Sequence, residues 1–97
     1  MRRLEILDEA EAELRDAAHR YEKERLGLGE DLLAEVWTLA ARLLEFPHTG
    51  KHLFADVRKA RIRRFRYDLV YRVRDDVLII VAVMHHRREP NHWKDRL

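Results

Sequence analysis

The sequence predicts an α+β domain in which a small, mostly antiparallel sheet packs against a helical hairpin. Residues 77–84 are eight consecutive apolar residues, which is typical of a strand covered on both faces. Residues 68–74 alternate between more and less apolar positions, as a half-buried strand does. Two stretches with apolar residues at helical spacing come before these strands. The predicted order is β-α-α-β-β-β, followed by a short C-terminal helix.

The N-terminal half supplies one strand and the two helices. Residues 3–7 alternate over a length that suits a short strand near a sheet edge. Asp8 is placed to cap the first helix, and Glu11 completes a capping box. This helix should run to about Glu24, since two glycines follow soon after. The second helix begins near residues 28–30 and ends before Pro47, which cannot continue a helix.

The next segment is predicted to return the chain to the sheet. Residues 48–56 read as a loop, and residues 57–66 as a strand with a basic face. The alternation slips at Arg63 and Arg64, and a bulge there would return Phe65 to the core.

Two short features complete the chain. Asp75 and Asp76 form a two-residue link between the last two strands, which predicts a tight hairpin. Pro90 is placed to occupy the first turn of a short helix over residues 91–97.

Composition indicates a single domain spanning residues 1–97. Hydrophobic residues make up 46% of the chain and charged residues 39%, so we expect one modest core with a highly charged surface. The chain has no cysteine, which excludes disulfides and thiolate chemistry. It has no secretory leader pattern and no stretch long enough to cross a membrane. We therefore expect a cytoplasmic protein that does not act at a membrane.

The charge is distributed unevenly. Residues 1–50 hold 7 Lys or Arg and 12 Asp or Glu, whereas residues 51–97 hold 13 and 6, so the halves carry −5 and +7. Six of the ten residues from 57 to 66 are basic: Arg58, Lys59, Arg61, Arg63, Arg64 and Arg66. This basic run is either a solvated strand face that blocks aggregation or a contact site for an anionic macromolecule.

No metal or cofactor site is expected. His85, His86 and His92 cluster near the C-terminus, but there is no cysteine and no helical His-x-x-x-His pair. Adjacent strand positions point to opposite faces, so His85 and His86 should not share one ion. Glu13 is predicted to lie on a solvated helix face, and Trp37 in the core.

Four segments together resemble a known group of proteins. They are EAEAELRDAAHRYEKE, RLGLGEDLLAEVW, RRFRYDLVYRV and VMHHRREPNHW, in that order along the chain. This combination resembles the RelE/ParE superfamily of type II toxins, and within it the ParE-like plasmid-stabilisation proteins. The resemblance implies a growth-inhibiting toxin that a cognate antitoxin neutralises. ParE-like members inhibit DNA gyrase without hydrolysing a substrate, whereas RelE-like members cut messenger RNA on the ribosome.

Two positions favour the ParE-like branch. RNA cleavage requires a base, cations for the phosphate and an acid for the leaving oxygen. RNA-cutting relatives carry a Tyr-Arg-Leu-Val-Tyr segment, and Asp68 stands here in place of that arginine. They also carry a tyrosine near the C-terminus, where this chain has Trp93, whose indole cannot exchange a proton. We therefore do not expect an enzyme, although Arg87 matches a phosphate-contacting arginine of the RNA-cutting branch.

Three functions stay open at this point. The first is a toxin that binds gyrase, with partner contacts made by Arg58, Lys59, Arg61, Arg63, Arg64, Arg66, Arg87, Arg88 and Trp93. The second is a ribosome-dependent endoribonuclease, with candidate catalytic residues Arg87, His85, His86, Arg61 and Arg63. The third is a degenerate toxin that only binds its antitoxin.

Overall fold

A computed structural model describes residues 2–86 and 92–97. It begins with strand β1 (Arg3–Ile6) and helices α1 (Asp8–Glu24) and α2 (Leu28–Glu45). Four strands follow: β2 (Lys51–Phe54), β3 (Val57–Arg61), β4 (Tyr67–Arg74) and β5 (Val77–His85). Lys94–Arg96 form a 3-10 turn, shorter than the predicted C-terminal helix. The predicted α+β class is confirmed, and the sheet has one strand more than the predicted order contains.

The five strands form a sheet in the order β1-β5-β4-β3-β2. β1 runs parallel to β5, and the other neighbours are antiparallel. Helix α1 packs on β5, and α2 packs against α1. No helix among the described residues is both long and apolar enough to cross a membrane.

Strand β5 is covered on both faces, as its unbroken apolar sequence predicts. Leu78, Ile80 and Val83 belong to the core beneath the helices. Val81, Ala82 and Met84 belong to a second cluster on the opposite face, together with Val57, Val70 and Trp93. The register with β4 shifts at Val81, so Val81 and Ala82 both serve this second cluster. Each fully buried aliphatic side chain contributes about 1.5–3 kcal/mol, so β5 anchors both layers.

The predicted loop at residues 48–56 is wrong for its central part. Lys51–Phe54 form β2, which pairs antiparallel with β3. The segment KHLF shows no regular alternation, so its strand conformation is set by the β3 neighbour and not by local pattern. Ala55, with φ of 48°, lies in the tight turn that joins the two strands.

The predicted strand at residues 57–66 is wrong beyond Arg61. The chain turns after Arg61, and Arg64 adopts a left-handed φ of 75°. The amide of Phe65 donates to the carbonyl oxygen of Ile62 at 3.2 Å, and Phe65 is 4% exposed. Phe65 therefore reaches the core, as expected, but through a turn between β3 and β4 and not through a bulge.

Of the other local predictions, some are confirmed and some are wrong. The predicted helix limits and the hairpin at Asp75 are confirmed, and Asp75 has a φ of 52°. The predicted capping box is wrong, because Leu7 occupies the N-cap and Asp8 is the first helical residue. Asp8 lies in a first turn rich in carboxylates, which interact favourably with the helix dipole. Trp37 is 47% exposed, so its predicted core position is also wrong.

The link between the helices fixes where α2 lies. The Glu22 carboxylate accepts hydrogen bonds from the amides of Gly27 and Gly29, at 2.9 and 3.0 Å. These two bonds hold the pKa of Glu22 below its usual value. A Cβ atom at Gly29 would come within 2.6 Å of the Ala18 carbonyl oxygen, so only glycine permits this close approach of α2 to α1.

Glu13 joins the C-terminal segment to α1 and β5. Its carboxylate accepts two hydrogen bonds from Arg96 at 2.9 Å and one from the Val83 amide at 3.0 Å. His92 Nε2 lies 3.1 Å from the same carboxylate. Burial acts to raise the pKa of Glu13, but the bonds from Arg96, Val83 and His92 outweigh it and lower the pKa. Glu13 is therefore a structural carboxylate, and the prediction of a solvated position is wrong.

Trp93 lies in the segment that Glu13 holds in place. Its side chain is 1% exposed and stacks on Phe54, with ring centroids 6.0 Å apart and planes 11° from parallel. The indole thus completes the second apolar cluster, beside Val57, Val70 and Met84.

Tyr71 anchors the chain between α2 and β2. Its hydroxyl donates to the Pro47 carbonyl oxygen at 2.7 Å and accepts from the Gly50 amide at 3.1 Å. Burial raises the pKa of Tyr71, so the hydroxyl stays protonated near neutral pH. Arg58 adds bonds to the carbonyl oxygens of His48 and Gly50, at 3.2 and 2.9 Å. These contacts fix the backbone that leads into Lys51.

We expect Glu13→Gln to destabilise the protein by about 2 kcal/mol at pH 7, because it weakens charge-assisted hydrogen bonds in a partly buried site. The folded-state pKa of Glu13 is lowered from 4.5. Its stabilising effect is therefore complete above pH 4.5 and is lost as the pH falls through the folded-state pKa. Urea unfolding from pH 7 to pH 3 should show that the difference in free energy of unfolding between variant and parent becomes smaller as the pH falls.

Glu11→Gln is the matched control for Glu13→Gln. Glu11 pairs with Arg15 at 3.3 Å on the surface, with both side chains more than half exposed. Exposed pairs contribute at most about 1 kcal/mol, so this variant should change stability little. Equal losses for the two variants, or a gap for Glu13→Gln that does not vary with pH, would contradict this role of Glu13.

We expect Tyr71→Phe to cost about 1–3 kcal/mol, since it removes the hydroxyl partner of the Pro47 carbonyl and the Gly50 amide. Urea unfolding measures the loss. Tyr21→Phe serves as control, because the one hydrogen bond of the Tyr21 hydroxyl to a described residue is a long contact of 3.5 Å from the Arg66 amide. If both variants lost the same stability, the anchoring role of Tyr71 would be wrong.

Candidate functional site

An open cavity of about 740 Å³ lies between α2 and the strands β2 and β3. We call it the cationic cleft, and its titratable side chains are Arg42, Lys51, Lys59, Arg61, Asp68 and His86. Leu39 and Phe46 supply apolar surface from α2 and its C-terminal end. Four cations and one carboxylate give the cleft a formal charge of +3 with His86 neutral.

Strand register brings these side chains together. Lys51 of β2 is the cross-strand partner of Lys59, and Arg61 is the partner of Asp68 on β4. Lys59 and Arg61 are two residues apart on β3, so they project from the same side of the sheet. Like charges directly opposite each other destabilise a sheet. The Lys51–Lys59 pair is therefore a local cost that an anionic ligand would remove.

The cleft cations carry charge that the described part of the chain does not neutralise. Within residues 2–86 and 92–97, no ion pair of 4.0 Å or less involves Arg42, Lys51, Lys59 or Arg61. Asp68 is 5% exposed and lines the cleft beside Arg61 without approaching that close. Unneutralised cations in a concave surface concentrate positive potential and favour anionic partners.

The predicted basic run is divided among neighbouring surfaces. Lys59 and Arg61 lie in the cationic cleft, and Arg61 also borders, with Arg63, a cavity of about 150 Å³ against α2. Arg64 lies 3.8 Å from Asp31 of α2, and Arg58 bonds backbone carbonyls. Part of the run therefore has a structural role, while Lys59, Arg61 and Arg63 present charge to solvent.

The histidines and arginines at the end of β5 are only partly described. The rings of His85 and His86 stack with centroids 4.9 Å apart, and His86 reaches the cationic cleft. Arg87 and Arg88, predicted to contact the partner, lie outside the described residues. In the part of the chain that is described, no group of three or more His, Cys, Asp or Glu side chains is placed to hold a metal ion.

Two residues of the cleft are not among the site residues that the sequence predicts. Arg42 projects from α2 and Lys51 from β2, and they lie 17 and 8 positions before Lys59. Neither belongs to the basic run, and Lys51 falls in the segment that resembled a loop. Trp93 was predicted to contact the partner, but its side chain is buried against Phe54.

Comparisons with solved structures show the same fold. The intact E. coli RelBE toxin–antitoxin complex contains a chain with a TM-score of 0.70 at 24% identity, covering 91% of this chain and 100% of that one. The isolated E. coli RelE toxin gives a TM-score of 0.68 at 21% identity, over 99% and 96%. The chromosomal ParDE system from P. aeruginosa gives 0.62 at 19% identity, over 88% and 96%.

Sequence comparisons identify the family. No curated protein sequence matches the chain. However, the family model described as the ParE toxin of the type II toxin–antitoxin system parDE matches residues 4–90, which is most of the chain. The resemblance found in the sequence segments is thereby confirmed. The chain belongs to the ParE toxin family of type II toxin–antitoxin systems.

Proposed function

We propose that this toxin arrests growth by binding DNA gyrase through the cationic cleft, and that a cognate antitoxin neutralises it. Both partners act inside the cell, so we place the protein in the cytoplasm. The proposal treats the cleft as a binding surface and assigns no catalytic residue.

Asp68 is the observation that carries this proposal. It lines the cleft opposite Arg61, at the position where RNA-cutting relatives carry an arginine. A carboxylate and a phosphate about 4 Å apart repel each other by about 4 kcal/mol at the effective dielectric of a protein surface. A ribonuclease must instead stabilise the extra negative charge of its transition state at that point. A cleft with Asp68 in it is better suited to a protein surface than to a scissile phosphate.

Trp93 supports the same conclusion. Its indole occupies the position of a tyrosine in the RNA-cutting branch, and the indole N–H can donate a hydrogen bond but is not acidic enough to transfer its proton to a leaving oxygen. It is also 1% exposed and packed in the second apolar cluster. A proton donor for RNA cleavage would have to come from elsewhere.

An antitoxin partner suits the described surface. The similar structures include the ParDE system and the intact RelBE toxin–antitoxin complex. The cleft offers uncompensated cations, and Trp37 and Phe46 are 47% and 54% exposed. An extended segment with both acidic and apolar side chains would match these features. We infer that the antitoxin supplies such a segment.

One observation favours ribosome-dependent RNA cleavage as the second candidate. His86 lines the same cleft as Lys59 and Arg61, which places a possible general base beside phosphate-binding cations. If expression of the protein does not arrest growth, the third function applies: a degenerate toxin that retains only antitoxin binding.

Expression of the full chain in cells separates these functions when plasmid supercoiling and messenger RNA ends are monitored together. The proposal expects relaxed plasmid and intact messages, with both growth and supercoiling restored when a cognate antitoxin is co-expressed. Codon-positioned cuts in translated messages with normal supercoiling would establish the nuclease. Normal growth with neither change would leave only antitoxin binding.

We expect the double variant Lys59→Glu and Arg61→Glu to inhibit purified gyrase at least about tenfold more weakly, since charge reversal at an interface costs 2 kcal/mol or more. The matched control is Arg3→Glu with Arg15→Glu, which changes the same charge on β1 and α1, away from the cleft. The control should stay within about twofold of the parent. Equal weakening by both pairs would mean that net charge, and not the cleft, governs inhibition.

A further inference from the structure

We propose that a second cavity of this protein binds a nucleotide through its phosphate and its base. This cavity of about 470 Å³ lies between α1 and the adjoining ends of β4 and β5. We call it the α1 pocket, and it is lined by Arg20, Tyr21, Glu24, Arg66, Tyr67 and His85. Its volume falls within the range of about 300–1,000 Å³ that small-ligand sites occupy.

Arg20 is fixed at the pocket before any ligand arrives. Its guanidinium donates a hydrogen bond to the Tyr67 hydroxyl and lies 5.8 Å from the centroid of the Tyr67 ring. Both contacts restrict the side chain, so less conformational freedom is lost when it binds an anion. Among the described residues, no carboxylate comes within 4.0 Å of the Arg20 guanidinium.

Arg66 approaches the pocket from the turn between β3 and β4. Its carbonyl oxygen accepts from the His86 amide at 3.1 Å and lies 3.0 Å from His86 Nδ1. The backbone of Arg66 is thus held against His86 at the end of β5, while its exposed side chain makes no hydrogen bond to another described residue. Two guanidinium groups from separate elements therefore line one cavity, which is a geometry that suits a phosphate group.

The aromatic side chains indicate what the anion is attached to. Tyr67 makes edge contacts with Tyr21 and His85, with centroids 6.1 and 5.4 Å apart. Tyr21 and His85 are partly exposed in the pocket, so each offers a ring surface on which a base can stack. Glu24 supplies a carboxylate that can accept a hydrogen bond from an exocyclic amino group.

These features favour a nucleotide over an acidic peptide. Both ligands would use the two arginines, but only a nucleotide base carries an exocyclic amino group that can donate to the Glu24 carboxylate. An acidic peptide would also bring no aromatic base into contact with Tyr21 and His85. The pocket is separate from the cationic cleft except at His85 and His86, whose stacked rings stand between the two. A free nucleotide and the terminal nucleotide of a strand share this chemistry.

Titration of the full chain with adenosine 5′-monophosphate, by calorimetry and by amide chemical shifts, tests the proposal. We expect saturable binding with shifts at residues of the α1 pocket, and at least about tenfold weaker binding of adenosine, which lacks the phosphate. Arg20→Gln and Arg66→Gln should each weaken binding by about tenfold. Arg15→Gln, on an exposed part of α1 and paired with Glu11, should change it less than about twofold.

Further titrations identify the source of the nucleotide and the outcomes that overturn the proposal. Tighter binding of a 5′-phosphorylated tetranucleotide would assign the pocket to a strand end, and weaker binding would assign it to free nucleotide; both support the site. Absence of saturation with adenosine 5′-monophosphate would overturn it, as would equal weakening by Arg15→Gln. Tighter binding of hexaglutamate at the same amides would also overturn it. Arg66→Gln keeps the test decisive if Arg20→Gln fails to fold, since no described residue bonds the Arg66 guanidinium.

Discussion

The two-sided burial of β5 is the constraint on which the rest of this structure depends. One face of the strand packs beneath the helices, and the other is closed by Trp93 and its neighbours. The covering layers are held by different means, because α1 packs directly on β5 while the C-terminal segment is bound through Glu13 and Arg96. The end of β5 carries His85 and His86, so both candidate binding cavities meet at the best-anchored strand of the domain.

The electrostatics of the molecule divide into two kinds of charge. Glu13 with Arg96, and Asp56 with Arg72 at 3.1 Å, form partly buried pairs that hold segments together. The cleft cations instead face solvent, and Lys51 lies directly opposite Lys59 at a cost in sheet stability. Such a cost is understandable where the charge serves a partner, and a strand face kept basic only against aggregation would not require a cavity around it.

Much of the fold follows from the sequence because it rests on local pattern. Apolar residues at helical spacing predict α1 and α2, and the apolar run predicts β5. Asp75 and Asp76 predict the hairpin that joins the last two strands. The failures arise where a partner distant in sequence decides the conformation. Pairing with β3 makes β2 a strand, and contacts with Arg96 bury Glu13.

The candidate site could be predicted only in part for the same reason. The dense basic run predicts Lys59 and Arg61 as site residues. The order of residues in the run does not indicate that Arg58 and Arg64 instead contact other parts of the fold. Arg42 and Lys51 have no distinctive neighbours in sequence and join the site only through the packing of α2 and the pairing of β2. The pocket around Arg20 depends likewise on α1 lying beside the end of β4.

Hydrogen–deuterium exchange of the full chain, alone and bound to gyrase, tests the central claim most directly. If the cationic cleft is the contact surface, exchange should slow at the amides around Lys51 and around Lys59 to Arg61, while β1 and the exposed face of α1 stay unchanged. Protection confined to β1 and α1, with the cleft exchanging as in the free protein, would contradict the account.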